Sequence, residues 1–180
     1  MKKIGLFIAF VFTSWCSMVA QDTYYSREAT LKLTGQLNGE DLHLQTSNVN
    51  VVIDYETAGI DMRFEVKTLN TEIDSLDKML SKSNMKVHFS GKLGLEYINT
   101  ANHPPLKFDL EGWLDINGSR SWIKGRGDLY HLGYSSAYSC VLSITILLDT
   151  EELNLPFEIP GIGDEFEAVM QHALLELDKN

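Results

Sequence analysis

FDLEGWLDINGSRSWIKGRGDL, residues 108–129, is the stretch that decides the fold. Two runs of period-two alternation flank Asn117-Gly118, a dipeptide that tolerates positive φ at both turn positions and is the strongest short-range signal for a β-hairpin. On the first arm Phe108, Leu110, Gly112, Leu114 and Ile116 share one face, opposite Lys107, Asp109, Glu111 and Asp115. On the second, Ile123, Gly125, Gly127 and Leu129 oppose Lys124, Arg126 and Asp128. A two-residue loop pairs Trp113 with Trp122, whereas a four-residue loop pairs Trp113 with Lys124 and Glu111 with Arg126. Both registers bury the same side chains, so sidedness follows before register does.

The alternation continues outward in both directions. Upstream, Leu31, Leu33, Gly35 and Leu37 share a face up to the Asn38-Gly39 turn, and Leu42 and Leu44 alternate beyond it. After a polar pause at Thr46-Ser47-Asn48 come Val49, Val51, Ile53 and Tyr55, then a turn at Thr57-Ala58-Gly59 and the face Ile60, Met62, Phe64, Val66. Val87, Phe89, Gly91, Leu93 and Leu95 predict a strand over 85–97, after which Pro104-Pro105 forbids ladder donation. Downstream, Tyr130 to Ser139 reads as an aromatic loop and Cys140 to Asp149 as the most apolar strand. Many strands at short intervals imply an all-β antiparallel barrel or sandwich.

Two segments break the period. Between Thr68 and Met85, Ile73, Leu76, Met79 and Leu80 fall at helical spacing and predict a short helix or compact lid. Between Asp164 and Leu177, the residues Phe166, Val169, Met170, Ala173, Leu174 and Leu177 also have helical spacing, with Asp164 and Glu167 placed as a capping-box variant. Alternation through Phe166, Ala168, Met170, His172 and Leu174 fits a strand less well, so local patterning favours helix there.

The first twenty residues have the layout of a secretory signal peptide: Lys2-Lys3, an apolar run from Ile4 to Phe12, and Val19-Ala20 before Gln21. The expected organisation is therefore a leader over 1–20 and a single barrel domain over 21–180, exported to the periplasm or secreted. Lipidation at Cys16 is the alternative, opposed by the bulky Trp15 before it. Loss of the leader leaves Cys140 as the sole cysteine, excluding an intramolecular disulfide, and its place on an apolar face predicts an inert buried thiol. A formal net charge of -10 disfavours nucleic acid and anionic membrane surfaces as partners. No segment after the leader is apolar for long enough to span a bilayer as a helix.

No arrangement of residues announces catalysis. His43, His88, His103, His131 and His172 are scattered without metal-ligand spacing. Ser135, Ser136 and Ser139 lack a nucleophile elbow, and Glu151-Glu152 and Asp164-Glu165 read as solvated charge. Gly125-x-Gly127 sits inside a strand and matches no phosphate loop, and the sequon at Asn117 is explained by the turn. A non-enzymatic protein without metal or cofactor is expected.

The run Phe108-x-Leu110-x-Gly112-x-Leu114-x-Ile116-x-Gly118, followed by Ile123 to Leu129, resembles the hairpin of YceI-like proteins. LSKSNMKVHFSGKL from Leu80 and the tail LPFEIPGIGDEFEAVM resemble that family's loop before an aromatic-bearing strand and its closing segment. Asn117 stands where the family often has histidine, and Asn84-Met85 stand in place of its Tyr-Pro. The resemblance implies a closed antiparallel lipocalin-like barrel, its C-terminal segment a closing strand, holding an elongated apolar molecule of isoprenoid or fatty acyl type. The side chains that would line it are Phe64, Val66, Phe89, Leu93, Phe108, Leu110, Leu114, Ile116, Leu142, Ile144 and Ile146, interspersed with Gly91, Gly112, Gly125 and Gly127. The same residues also describe an ordinary packed core, in which case the protein is a structural or interaction module of the cell envelope using Trp113, Trp122 and the tyrosine loop.

Overall fold

A computed structural model describes residues 23–99, 104–133, 139–153, 155 and 160–177. The expected leader, Cys16, His103, Ser135, Ser136, Tyr134 and Tyr138 lie outside these. Eight strands, β1 (Thr23–Leu37), β2 (Glu40–Asp54), β3 (Gly59–Glu65), β4 (Lys86–Leu93), β5 (Leu106–Ile116), β6 (Ser119–His131), β7 (Cys140–Asp149) and β8 (Glu165–Leu177), pair antiparallel in sequence order. Pairing of β1 with β8 closes the barrel. Closure removes the free edges that an open sheet would expose.

The β5–β6 hairpin takes the two-residue register. Trp113 faces Trp122, Ile116 faces Ser119, and Asn117 and Gly118 both have positive φ (53° and 93°), as a type I′ turn requires. Asp115 fastens the turn, accepting a 2.7 Å bond from the Gly118 N–H and a 3.1 Å bond from Arg120 Nε. Across the outer face Asp109 lies opposite Arg126 and Glu111 opposite Lys124, so opposite charges meet in register.

Three strands carry a phase change. In β1 the buried positions run Tyr24, Ser26 and then Ala29; in β2 they run Leu42, Thr46 and then Val49; in β8 they run Phe166, Ala168, Met170 and then Ala173 and Leu175. At each change two consecutive residues, Arg27-Glu28, Ser47-Asn48 and Gln171-His172, both face solvent, and the pairing registers shift beside them. These are β-bulges, which increase local twist and bend the three adjacent strands round the barrel. Thr46 to Asn48 is thus a bulge inside one continuous strand rather than a break between two. The C-terminal segment is strand β8, as the family resemblance implied, and local helical spacing misreads it.

The segment after β3 departs from a simple strand. A 3₁₀ turn, Val66–Thr68, interrupts the wall, and the chain regains pairing when Asn70 exchanges backbone bonds with Gln45. Helix α1 (Asp74–Leu80) follows, preceded by a turn in which the Asp77 carboxylate accepts from both the Thr71 N–H and Thr71 Oγ1 at 2.7 Å. The expected helix forms, but none of its residues is buried and Met79 is 60% exposed. It joins β3 to β4, with Leu76 and Leu80 half-buried.

Candidate functional site

Ten of the eleven side chains expected inside belong to the core or pack against it. Phe89, Leu93, Phe108, Leu110, Leu114, Leu142, Ile144 and Ile146 are buried in one cluster, with Phe64 and Ile116 half-buried against it. Val66 is buried outside that cluster, in the 3₁₀ turn rather than on a strand. Its N–H donates to the Met85 carbonyl at 3.0 Å, so it belongs to the wall where β3 gives out.

Three of the four inward glycines are tied to phenylalanine rings, while Gly125 abuts Ile146 and the Thr145 carbonyl. A Cβ placed on Gly91 or Gly112 would lie 2.6 or 2.8 Å from Cζ of Phe89, and one on Gly127 would lie 2.6 Å from Cζ of Phe108. Gly35 stands in the same relation to the ring of Phe166. In the first two cases it is the far tip of the ring that reaches the level of the strand backbone. Those rings therefore lie flat along the wall instead of projecting into the bore. The glycines do not leave empty space; they let large side chains be stored at the wall.

The two ends of the barrel differ. At the end opposite the Asn-Gly turns, Tyr24, Tyr55, Ala58, Leu93, Leu129, Cys140 and Leu175 are all buried. The chain after β4 folds across this end, with the Leu93 N–H bonded to the Ala58 carbonyl and the Ile98 N–H to the Tyr55 carbonyl. Ile98 is buried there and Leu95 half-buried. At the Asn-Gly end the inward side chains stay apolar, with Leu33, Leu44, Phe64, Val87, Ile116 and Leu148 half-buried beside the buried Leu42, Val66 and Phe166. The tyrosine end is the more closed, although Leu106 and Leu177 there are also half-buried, and the Asn-Gly end presents an apolar rim.

A tyrosine floor completes the more closed end. Tyr24 and Tyr55 stack at 4.0 Å between centroids, 25° apart. The Tyr55 side chain lies against the thiol of Cys140, and Cys140 Sγ is 3.7 Å from His131 Nδ1. Burial, reinforced by the thiol, pushes the Tyr55 phenol far above its ordinary range, and burial also raises the Cys140 thiol. Both groups stay protonated at neutral pH, and the thiol is not activated as a nucleophile. Sequence reasoning placed Tyr55 on an inward face but attached no role to it, because the signal is its contact with β7, which no local pattern reveals.

Outside the barrel, Trp113 and Trp122 meet edge to face at 5.1 Å and are each 48% exposed. Asp61 is paired there with Arg63 (2.7 Å) and His88 (2.5 Å). A hollow beside the rim, with Asp41, Asp149, Glu151, Asp164 and Glu165 in its lining, is acidic and open to solvent, a poor seat for an apolar molecule. Among the described residues no cluster of His, Cys, Asp and Glu could hold a metal ion.

The barrel has the fold of a polyisoprenoid-binding domain. A solved structure of such a domain, from Saccharophagus degradans and described as implicated in plant cell wall breakdown, superposes with a TM-score of 0.59 at 11% identity. The match covers 86% of this chain and 98% of that one. The lipocalin-like YceI-type barrel anticipated from the sequence motifs is the fold adopted. No family model matches the chain, and no curated protein matches its sequence.

Proposed function

We propose that this chain is an exported, non-enzymatic carrier that takes an elongated apolar molecule, of isoprenoid or fatty acyl type, into the barrel through the Asn-Gly end. The observation that carries this reading is the asymmetry of the barrel ends: more closed at the tyrosine end, with a larger set of half-buried apolar side chains at the other. A core built only for stability gains nothing from leaving a ring of Leu, Phe, Val and Ile open to water, whereas an entering chain would cover it. The rings lying flat over glycines support the same reading, since they keep bulk at the wall. Affinity would come from apolar area removed from water, about 25 cal/mol per Å² before the costs of association. The polyisoprenoid-binding neighbour makes a long isoprenoid a natural first candidate.

Organic extraction of protein purified from its native compartment, followed by mass spectrometry, tests the proposal. Recovery of a stoichiometric long-chain lipid is the expected result. An empty protein that also ignores added prenyl alcohols and fatty acids would sink it. The second reading, an interaction module with a solid core, draws on the exposed Trp113–Trp122 pair and predicts capture of an envelope component lost in W113A/W122A.

A further inference from the structure

We propose that the Tyr55 hydroxyl anchors the head of the bound molecule, and that this head is a small uncharged group carrying an acceptor oxygen, such as a ketone carbonyl. The inference rests on the binding role above and adds the orientation of the ligand and the chemistry of its leading end.

Tyr55 follows β2, while Cys140 opens β7, and in the barrel order β1 and β8 stand between those two strands. Contact between their side chains therefore carries the Tyr55 ring across the bore and not along the wall. Stacking on Tyr24 fixes the ring in that position. The residue is 1% exposed, and beyond its contact with the Cys140 thiol its hydroxyl oxygen has no hydrogen-bond partner among the described residues. A buried phenol normally finds an acceptor, and the neighbouring thiol is a weak one. The site thus presents a fixed donor deep in the apolar interior, complementary to an acceptor oxygen arriving head first.

Charge at that depth is disfavoured. Among the described residues, the buried ones include no Lys or Arg, and the buried polar set is limited to Ser26, Thr46, Thr71 and Ser121. His131, half-buried at the same end, is turned to the Cys140 thiol. A carboxylate or phosphate brought to Tyr55 would lose its hydration without a countercharge. Acids of the same chain length would bind with the head left at the open rim, out of reach of Tyr55.

The test uses the full exported protein and three probes of equal chain length, an alkane, its methyl ketone and its fatty carboxylate, delivered from cyclodextrin and followed by calorimetry. Wild type binds the ketone about five- to tenfold more tightly than the alkane, the worth of one buried hydrogen bond, and Y55F binds the two equally. The carboxylate shows no dependence on Tyr55. The infrared carbonyl stretch of the bound ketone is lowered in wild type and returns to its apolar-solvent value in Y55F. A ketone preference that survives in Y55F, or a carboxylate that gains from Tyr55, overturns the anchor while leaving the carrier role standing. Failure of all three probes to bind wild type overturns both.

Discussion

Tyr55 and Gly127 show how single side chains hold the bore in its shape. A buried hydroxyl with no partner beyond the Cys140 thiol destabilises the empty barrel, so Y55F, which keeps the ring and its stack on Tyr24, should raise stability by about 1 kcal/mol and the melting temperature by about 2–4 °C. Thermal unfolding of ligand-free protein checks this, and a fall would mean that the hydroxyl is satisfied in solution. At Gly127 a methyl group would collide with the Ser143 carbonyl and with the tip of the Phe108 ring. Neither can yield cheaply, because one is backbone in the β6–β7 ladder and the other is boxed in by the core. G127A should cost about 2–4 kcal/mol in urea unfolding, while G133A, with open space around the added methyl, should stay within about 0.5 kcal/mol of wild type.

At the level of the element, the bulges explain what could and could not be read from the chain. In β8 the buried residues Phe166, Ala168, Met170 and Ala173 fall at i, i+2, i+4 and i+7. Three of those four spacings also occur on a helix face, so a strand with one extra residue imitates helical periodicity. The β5–β6 hairpin has no such insertion, and its faces were legible from alternation alone; only its register needed tertiary information. The tyrosine end was not legible at all, because Tyr55, Ile98 and Cys140 are brought together by closure. His172, with φ of 56°, is the extra residue's companion, and deleting it would restore strict alternation. That deletion should keep Ala173 and Leu175 inward but remove the bulge that bends β8, lowering the urea midpoint, whereas H172G should fold at least as stably as wild type. The Asp115 turn has its own pH dependence. The Gly118 N–H, then Arg120, lowers the Asp115 pKa, so its contribution is present above the unfolded-state value and disappears as pH falls through the depressed folded-state value. The urea midpoint difference between wild type and D115N should accordingly shrink over that acidic interval; a difference that is constant with pH would dissociate the turn from the carboxylate's charge.

For the whole molecule, the decisive property is that among the described residues the apolar interior is more closed at the tyrosine end than at the Asn-Gly end. Val87 stands at that boundary, half-buried on β4 and paired with Phe64 on one side and Ile116 on the other. It is close enough to solvent for a charge to remain hydrated, and far from the tyrosine floor. V87E should therefore fold, with a loss of no more than about 1–2 kcal/mol, because the new carboxylate can turn outward. An apolar chain entering past it would have to strip water from that carboxylate, so binding of a long prenyl alcohol should weaken by at least about tenfold. Ligand protection gives an independent measure: at about a hundred times its dissociation constant, the alcohol should stabilise wild type by about 2.7 kcal/mol and stabilise V87E far less at the same concentration. The same glutamate placed on the outer wall, as V52E, should leave both quantities unchanged, since Val52 is exposed. If V87E bound as tightly as wild type, entry through the Asn-Gly end would be excluded, and the tyrosine end would have to open instead.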